Sequence, residues 1–232
     1  SWNFMIKACS RYGLGKESLQ LFHRMHREAM LPDMFIFATL ISACSSNMAL
    51  IEGKKLHARV ILDHSEFEYV LGTALINLYG KCGFPIDAQN AFDRMHKRDV
   101  VAWTAIIDAY LHMGDIKEAL ERYVAMHRDG IMPDLFIITS ILEACANQVK
   151  EGKEMHSLIR GSLFEKDAIV GNALINMYGK CKNVDDALEV FVNIPLKDVV
   201  SWNAMIVAYA ENGFVNHALD LFDEMRLKEI KP

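Results

Sequence analysis

From Val100 onward, apolar residues return at helical spacing. Trp103, Ile106, Ile107 and Tyr110 stand at i, i+3, i+4 and i+7, one stripe of an amphipathic helix. Gly114-Asp115 interrupts the stripe. Ala119, Leu120, Tyr123 and Met126 begin a second, which ends at Gly130-Ile131-Met132-Pro133-Asp134, a glycine stop followed by proline. Asp134 then precedes the next apolar run, where a carboxylate suits the exposed amides of a helix start. The pattern predicts a helical hairpin, and nothing in the chain alternates as a strand. An all-α chain is expected.

The hairpin is one of several. Asp99-Val100-Val101-Ala102-Trp103-Thr104 returns 99 residues later as Asp198-Val199-Val200-Ser201-Trp202-Asn203, and Ser1-Trp2-Asn3 is a truncated copy. Gly72 to Cys82 likewise returns as Gly171 to Cys181. Such periodicity marks a repeat array, in which each unit buries its apolar face against its neighbours. The units rotate through three kinds. The reference kind spans 1–33 (lacking its first two residues), 100–134 and 199–232 (one residue short). A second kind, at 34–68 and 135–167, carries Ile41-Ser42-Ala43-Cys44 or Leu142-Glu143-Ala144-Cys145, then Gly53…His57 or Gly152…His156. The short kind, at 69–99 and 168–198, carries Tyr79-Gly80-Lys81-Cys82 or its copy, read as a turn. From Cys44 to His57 the first copy of the second kind is two residues longer than from Cys145 to His156, and the deletion is expected in the inter-helix turn.

Composition changes little. Half of the 232 residues are hydrophobic and a quarter charged, so a well-folded chain is expected. No apolar run approaches the ~18 residues of a membrane span, and no membrane partner is expected. The net charge of −5 counts against a nucleic-acid binder, which usually carries a basic patch, unless cations gather on one face. Cys9, Cys44, Cys82, Cys145 and Cys181 form no Cys-x-x-Cys pair and are odd in number. They read as small buried hydrophobes in a reducing compartment, with neither disulfides nor zinc. A chain that starts without Met inside one repeat and stops inside another is expected to be part of a longer protein.

Hairpins of 31 to 35 residues with Asp-Val-Val-x-Trp-Asn starts, Tyr-Gly-Lys-Cys signatures and Pro-Asp ends resemble the pentatricopeptide repeat proteins. The rotation of three lengths resembles the PLS subfamily, as P-L-S-P-L-S-P over the whole chain. The resemblance implies an α-solenoid, a right-handed superhelix of seven helix-turn-helix hairpins. It also implies that single-stranded RNA is bound at one base per repeat. In the family the fifth residue of a motif and its last form the reading pair.

Carried onto this chain, Asn3 with Asp33 resembles a uracil reader, as does Asn172 with Asp198. Thr73 with Asp99 and Thr104 with Asp134 resemble guanine readers, and Asn203 suggests a pyrimidine. The L units depart from the pattern: Ala38 with Glu68 has no hydrogen-bonding group in the first place, and Thr139 with Asp167 is nominally guanine. The implied address is 5′-U-x-G-G-x-U-Y-3′. Phe35, Val70, Val101, Phe136, Ile169 and Val200 occupy the position that wedges between bases. Arg11, Lys81, His112 and Lys180 occupy the position that contacts phosphate, with Glu211 there in the last unit. PLS arrays of the family mostly address cytidine-to-uridine editing sites in plant plastid or mitochondrial transcripts. Chemistry there comes from further C-terminal domains or from editing partners in trans.

Other readings stay beside these. Each aspartate is also a helix-start carboxylate worth ~1 kcal/mol. Trp2, Trp103 and Trp202 lie in the apolar stripe and read as inter-hairpin core rather than stacking platforms. His57 and His156 read as packing or capping residues. His26-Arg27-Glu28 and His64-Ser65-Glu66 match only half of a zinc-deaminase signature. No catalytic constellation, metal site or cofactor is expected. The alternative function is a protein-interaction subunit of a larger ribonucleoprotein or transcription complex.

Overall fold

The computed structural model describes residues 2–63 and 69–230, and among them it contains fourteen α-helices and no strand. Glu68 and the segment His64 to Glu66 lie outside the described residues. The chain forms two compact units, 1–132 and 133–232. In the first, α1 (Trp2–Arg11) pairs with α2 (Gly15–Arg27) and α3 (Met34–Ser46) with α4 (Leu50–Asp63). Likewise α5 (Tyr69–Lys81) pairs with α6 (Pro85–Asp93) and α7 (Val100–His112) with α8 (Ile116–Arg128). In the second, α9 (Leu135–Ala144) pairs with α10 (Val149–Ile159), α11 (Ala168–Lys180) with α12 (Val184–Asn193), and α13 (Val199–Glu211) with α14 (Val215–Leu227).

Within each unit the first helix of a hairpin packs on the first helix of the next: α1 on α3, α3 on α5 and α5 on α7, then α9 on α11 and α11 on α13. Within each unit a second helix packs on its own first helix and on the first helix of the hairpin that follows. This is why the first helices are apolar almost all round. In α7, Ala102, Trp103, Ile106, Ile107 and Tyr110 are buried together. Each large apolar side chain so buried stabilises the stack by roughly 1.5–3 kcal/mol. Trp103 and Trp202 are 3% and 2% exposed, and each meets the preceding hairpin's phenylalanine edge-on, Phe92 at 4.6 Å and Phe191 at 5.2 Å. They are core, and Trp2 is half-buried.

Two expectations are corrected. Tyr-Gly-Lys-Cys is not a turn: Tyr79 to Lys81 and Tyr178 to Lys180 form the last turn of α5 and α11. The glycine is there for close approach, because a Cβ on Gly80 would stand 2.6 Å from the Ala109 Cβ of α7, and one on Gly179 2.9 Å from Ala208 of α13. The two-residue deletion is not in the turn either. The connection from α3 to α4 is residues 47–49, and that from α9 to α10 is 145–148. What shortens is the first helix, from 13 residues in α3 to 10 in α9. Cys44, inside α3, therefore corresponds to Cys145, the residue that caps α9.

Two recurring contacts tie neighbouring hairpins. His57 Nδ1 lies 2.7 Å from the Tyr79 hydroxyl, and His156 Nδ1 lies 2.8 Å from that of Tyr178. Burial lowers both imidazoles below their usual range, Arg94 and Arg160 being the next largest causes. Burial also pushes both phenols up to about 12, so each pair is a neutral hydrogen bond. The five cysteines are free thiols, Cys44 and Cys145 fully buried and pushed up to about 11 and about 12 by burial.

Candidate nucleic-acid interface

The five aspartates all begin first helices. Asp33, Asp99, Asp134 and Asp198 each accept, on Oδ1, the amide of the third residue beyond, at 2.8–2.9 Å. Asp167 accepts from Ile169 and Val170. In each case a single oxygen does the capping, and the second is left over. For Asp33 it accepts the Asn3 side-chain amide at 2.8 Å, closing the expected pair across consecutive hairpins. The Asp198 carboxyl is held below the usual range mainly by the bond from the Ser201 amide, with a smaller contribution from the Asn172 side chain.

Asn172 is 7% exposed, and its Oδ1 is buried without a hydrogen-bond partner among the described residues. The threonines behave differently. Thr73, Thr104 and Thr139 each donate their hydroxyl back to the carbonyl four residues earlier, at 2.7–2.8 Å. Their protons are spent inside the helix, so the oxygens face outward only as acceptors. Thr104 belongs to the first unit and Asp134 to the second, where it caps α9. Asn203 is exposed on α13, and Ala38 is buried.

The residues one position into each first helix are apolar and uncovered: Phe35 is 65% exposed, Phe136 58%, Ile169 57%, Val101 55% and Val200 52%. Val70 is half-buried. Arg11, Lys81, His112 and Lys180 are exposed in the last turns of α1, α5, α7 and α11. There they also complement the helix dipole. His112 donates from Nδ1 to the Asp108 carbonyl at 2.8 Å, which leaves only Nε2 for an outside anion. Glu211 is exposed at the end of α13.

The structure adds a row that the sequence reading passed over. A cleft between α5 and α7 is lined by Asn77 and Lys81 on one side and Asp108 and His112 on the other. A larger one of 440 Å³ between α9 and α11 brings together Thr139, Glu143, Asn176 and Lys180. Asn77, Asp108, Glu143 and Asn176 stand four residues after Thr73, Thr104, Thr139 and Asn172. Helical spacing alone would have put them on the same face.

A stack of helical hairpins with polar rows along its first helices defines a helical-repeat protein of the α-solenoid class. Models of the PPR repeat match residues 1–29, 73–100 and 172–198, and those of the PPR repeat family match 98–147 and 197–232. The chain belongs to the pentatricopeptide repeat family. It is 39% identical to a chloroplastic pentatricopeptide repeat-containing protein of Arabidopsis thaliana over 85% of this chain and 32% of that protein. A mitochondrial member from the same plant is 35% identical over 84% of this chain and 26% of its own length. The chain thus spans a third or less of these relatives. Its fold matches the crystal structure of the maize pentatricopeptide repeat protein PPR10 with a TM-score of 0.80 and 20% identity, over the whole chain and 34% of PPR10. Against PPR10 in complex with an 18-nucleotide psaJ RNA element the TM-score is 0.74.

Proposed function

We propose that these hairpins bind single-stranded RNA, each presenting one base to the fifth residue of its motif and the aspartate that follows. The observation that carries this is the division of labour at the aspartates. At Asp33 one oxygen starts a helix, while the other holds Asn3 and so aims its amide. With its NH₂ on Asp33, the exposed Asn3 offers an acceptor, which suits the N3–H of uracil. Thr73 is one bond shorter and offers an acceptor, and its motif ends on the Asp99 carboxylate. That set suits a larger base with two adjacent donors, the N1–H and N2–H₂ of guanine. The uncovered Phe35, Val101, Phe136, Ile169 and Val200 supply apolar surface on which neighbouring bases stack. Lys81 and Lys180 neutralise phosphates.

The rotation of unit lengths supports placing the array in the PLS subfamily, and relatives named for chloroplast and mitochondrion support an organellar RNA target. On that reading it is the address-reading part of an editing or processing factor. RNA selection on the purified chain tests it. The expected consensus contains U and G in the order given above. Asn172→Thr should move the preference at its nucleotide from U toward G by about five- to ten-fold, one or two net hydrogen bonds. A selection without consensus, or an unchanged preference in that variant, sinks the base-reading proposal. A groove that captures a polypeptide and no RNA would establish the protein-interaction alternative.

A further inference from the structure

Resting on that reading, we infer that Asn77, Asn176 and Glu143 form a sugar-reading row that recognises the ribose 2′-hydroxyl and makes the groove selective for RNA over DNA. The argument begins with spacing. On α5 and α11 the order is Thr73, Asn77, Lys81 and Asn172, Asn176, Lys180, four residues and about 6 Å of helix per step. A nucleotide runs base, ribose, phosphate. If the first row meets base edges and the third meets phosphates, the middle row faces the sugar.

The chemistry of the middle row agrees. Asn77 is half-buried and Asn176 exposed, and among the described residues neither amide has a hydrogen-bond partner. An amide both donates and accepts, as a 2′-hydroxyl does. Glu143 lines the α9–α11 cleft with Asn176 and Lys180. An ionised carboxylate only accepts, and it is repelled by phosphate. The RNA backbone has one donor, the 2′-hydroxyl, and the DNA backbone has none. An acidic side chain inside a nucleic-acid groove therefore has one backbone group to bind, and only in RNA.

The test compares 5′-UAGGAUC-3′ RNA with the same sequence as a 2′-deoxy oligonucleotide carrying deoxyuridine, which leaves the base edges unchanged. Wild-type chain is expected to prefer the RNA by at least about five-fold, the worth of one net hydrogen bond. In Asn77→Ala/Asn176→Ala, RNA affinity should fall about five-fold or more while affinity for the deoxy strand holds, bringing the ratio toward one. Glu143→Ala should narrow the ratio from the other side, by strengthening deoxy binding. Base preference, read with a U-to-C substituted RNA, should survive in all of these, and unchanged thermal melting confirms the fold. Asn77→Ser/Asn176→Ser, which keeps a donor and acceptor, should retain part of the ratio. Equal affinity of the wild type for both strands with base preference intact, or variants that keep the wild-type ratio, overturns the sugar-reading row alone. A wild type without base preference overturns the base-reading proposal and this one together.

Discussion

Hairpins α3–α4 and α5–α6 of the first unit and α9–α10 and α11–α12 of the second are copies of one another, and they differ in an orderly way. The contacts that join the hairpins recur: His57 on Tyr79 and His156 on Tyr178, Gly80 against Ala109 and Gly179 against Ala208. Only some of the groove positions do. Ala38 becomes Thr139, Ser42 becomes Glu143, Thr73 becomes Asn172, while Asn77 and Lys81 return as Asn176 and Lys180. One set of positions holds the stack, and Ala38, Ser42 and Thr73 stand outside it, free to vary. Charge divides the units too. The first has fifteen basic and fifteen acidic residues and the second ten and fifteen, so the whole net charge of −5 lies in the second.

The comparison breaks most readily at the close approaches. Gly80→Ala should cost about 1–3 kcal/mol by overpacking, read by urea unfolding. Gly179→Ala should cost less, because its added Cβ has 2.9 Å rather than 2.6 Å to its nearest neighbour. Equal costs would mean that the junctions relax alike. Next comes salt. Lys81→Ala and Lys180→Ala should each flatten the dependence of log affinity on log salt by about 0.7, one phosphate on a single strand. A smaller gain is expected at Ala29. It adopts φ 56° where Gly130, at the end of α8, has φ 74°. Ala29→Gly should stabilise the first unit by about 0.5–1 kcal/mol, relieving a left-handed residue.

The smallest effect is with pH. His57 and His156 are held below the ordinary 6.5, so their contribution is complete above that value. It is lost as pH falls toward the folded-state value, because the unfolded chain takes up the protons first. The melting temperature should drop between pH 7 and 5.5, and His57→Gln/His156→Gln should flatten that slope. An unchanged slope would place the titrating groups elsewhere.

Much of this architecture was legible in the sequence. Stripes such as Trp103-Ile106-Ile107-Tyr110 report helices directly, and the Pro-Asp and Asp-Val-Val boundaries fall where α3, α7, α9 and α13 begin. Gly80 was misread because glycine near a helix end usually signals a stop. Only the distance to Ala109 distinguishes a stop from a point of contact. The deletion in α9 was misplaced for a related reason: length is visible in sequence, but the element that absorbs it is decided by packing. The His–Tyr pairs join residues 22 positions apart, a separation that no local pattern encodes. The cleft at Asn176 and Glu143 depends on how two helices approach, though the four-residue spacing was there to be noticed.

Asp33 shows what it means for one carboxylate to serve two masters. A residue that must start a helix and also steer its neighbour's amide cannot drift as the fifth position can. Side chains that cap well are few, chiefly Asp, Asn, Ser and Thr. On the proposed base reading, the second letter of each pair therefore has a short alphabet set by folding rather than by RNA. New addresses should arise mostly through the fifth residue, where Ala, Thr and Asn already stand in this one chain at no cost to the helix starts.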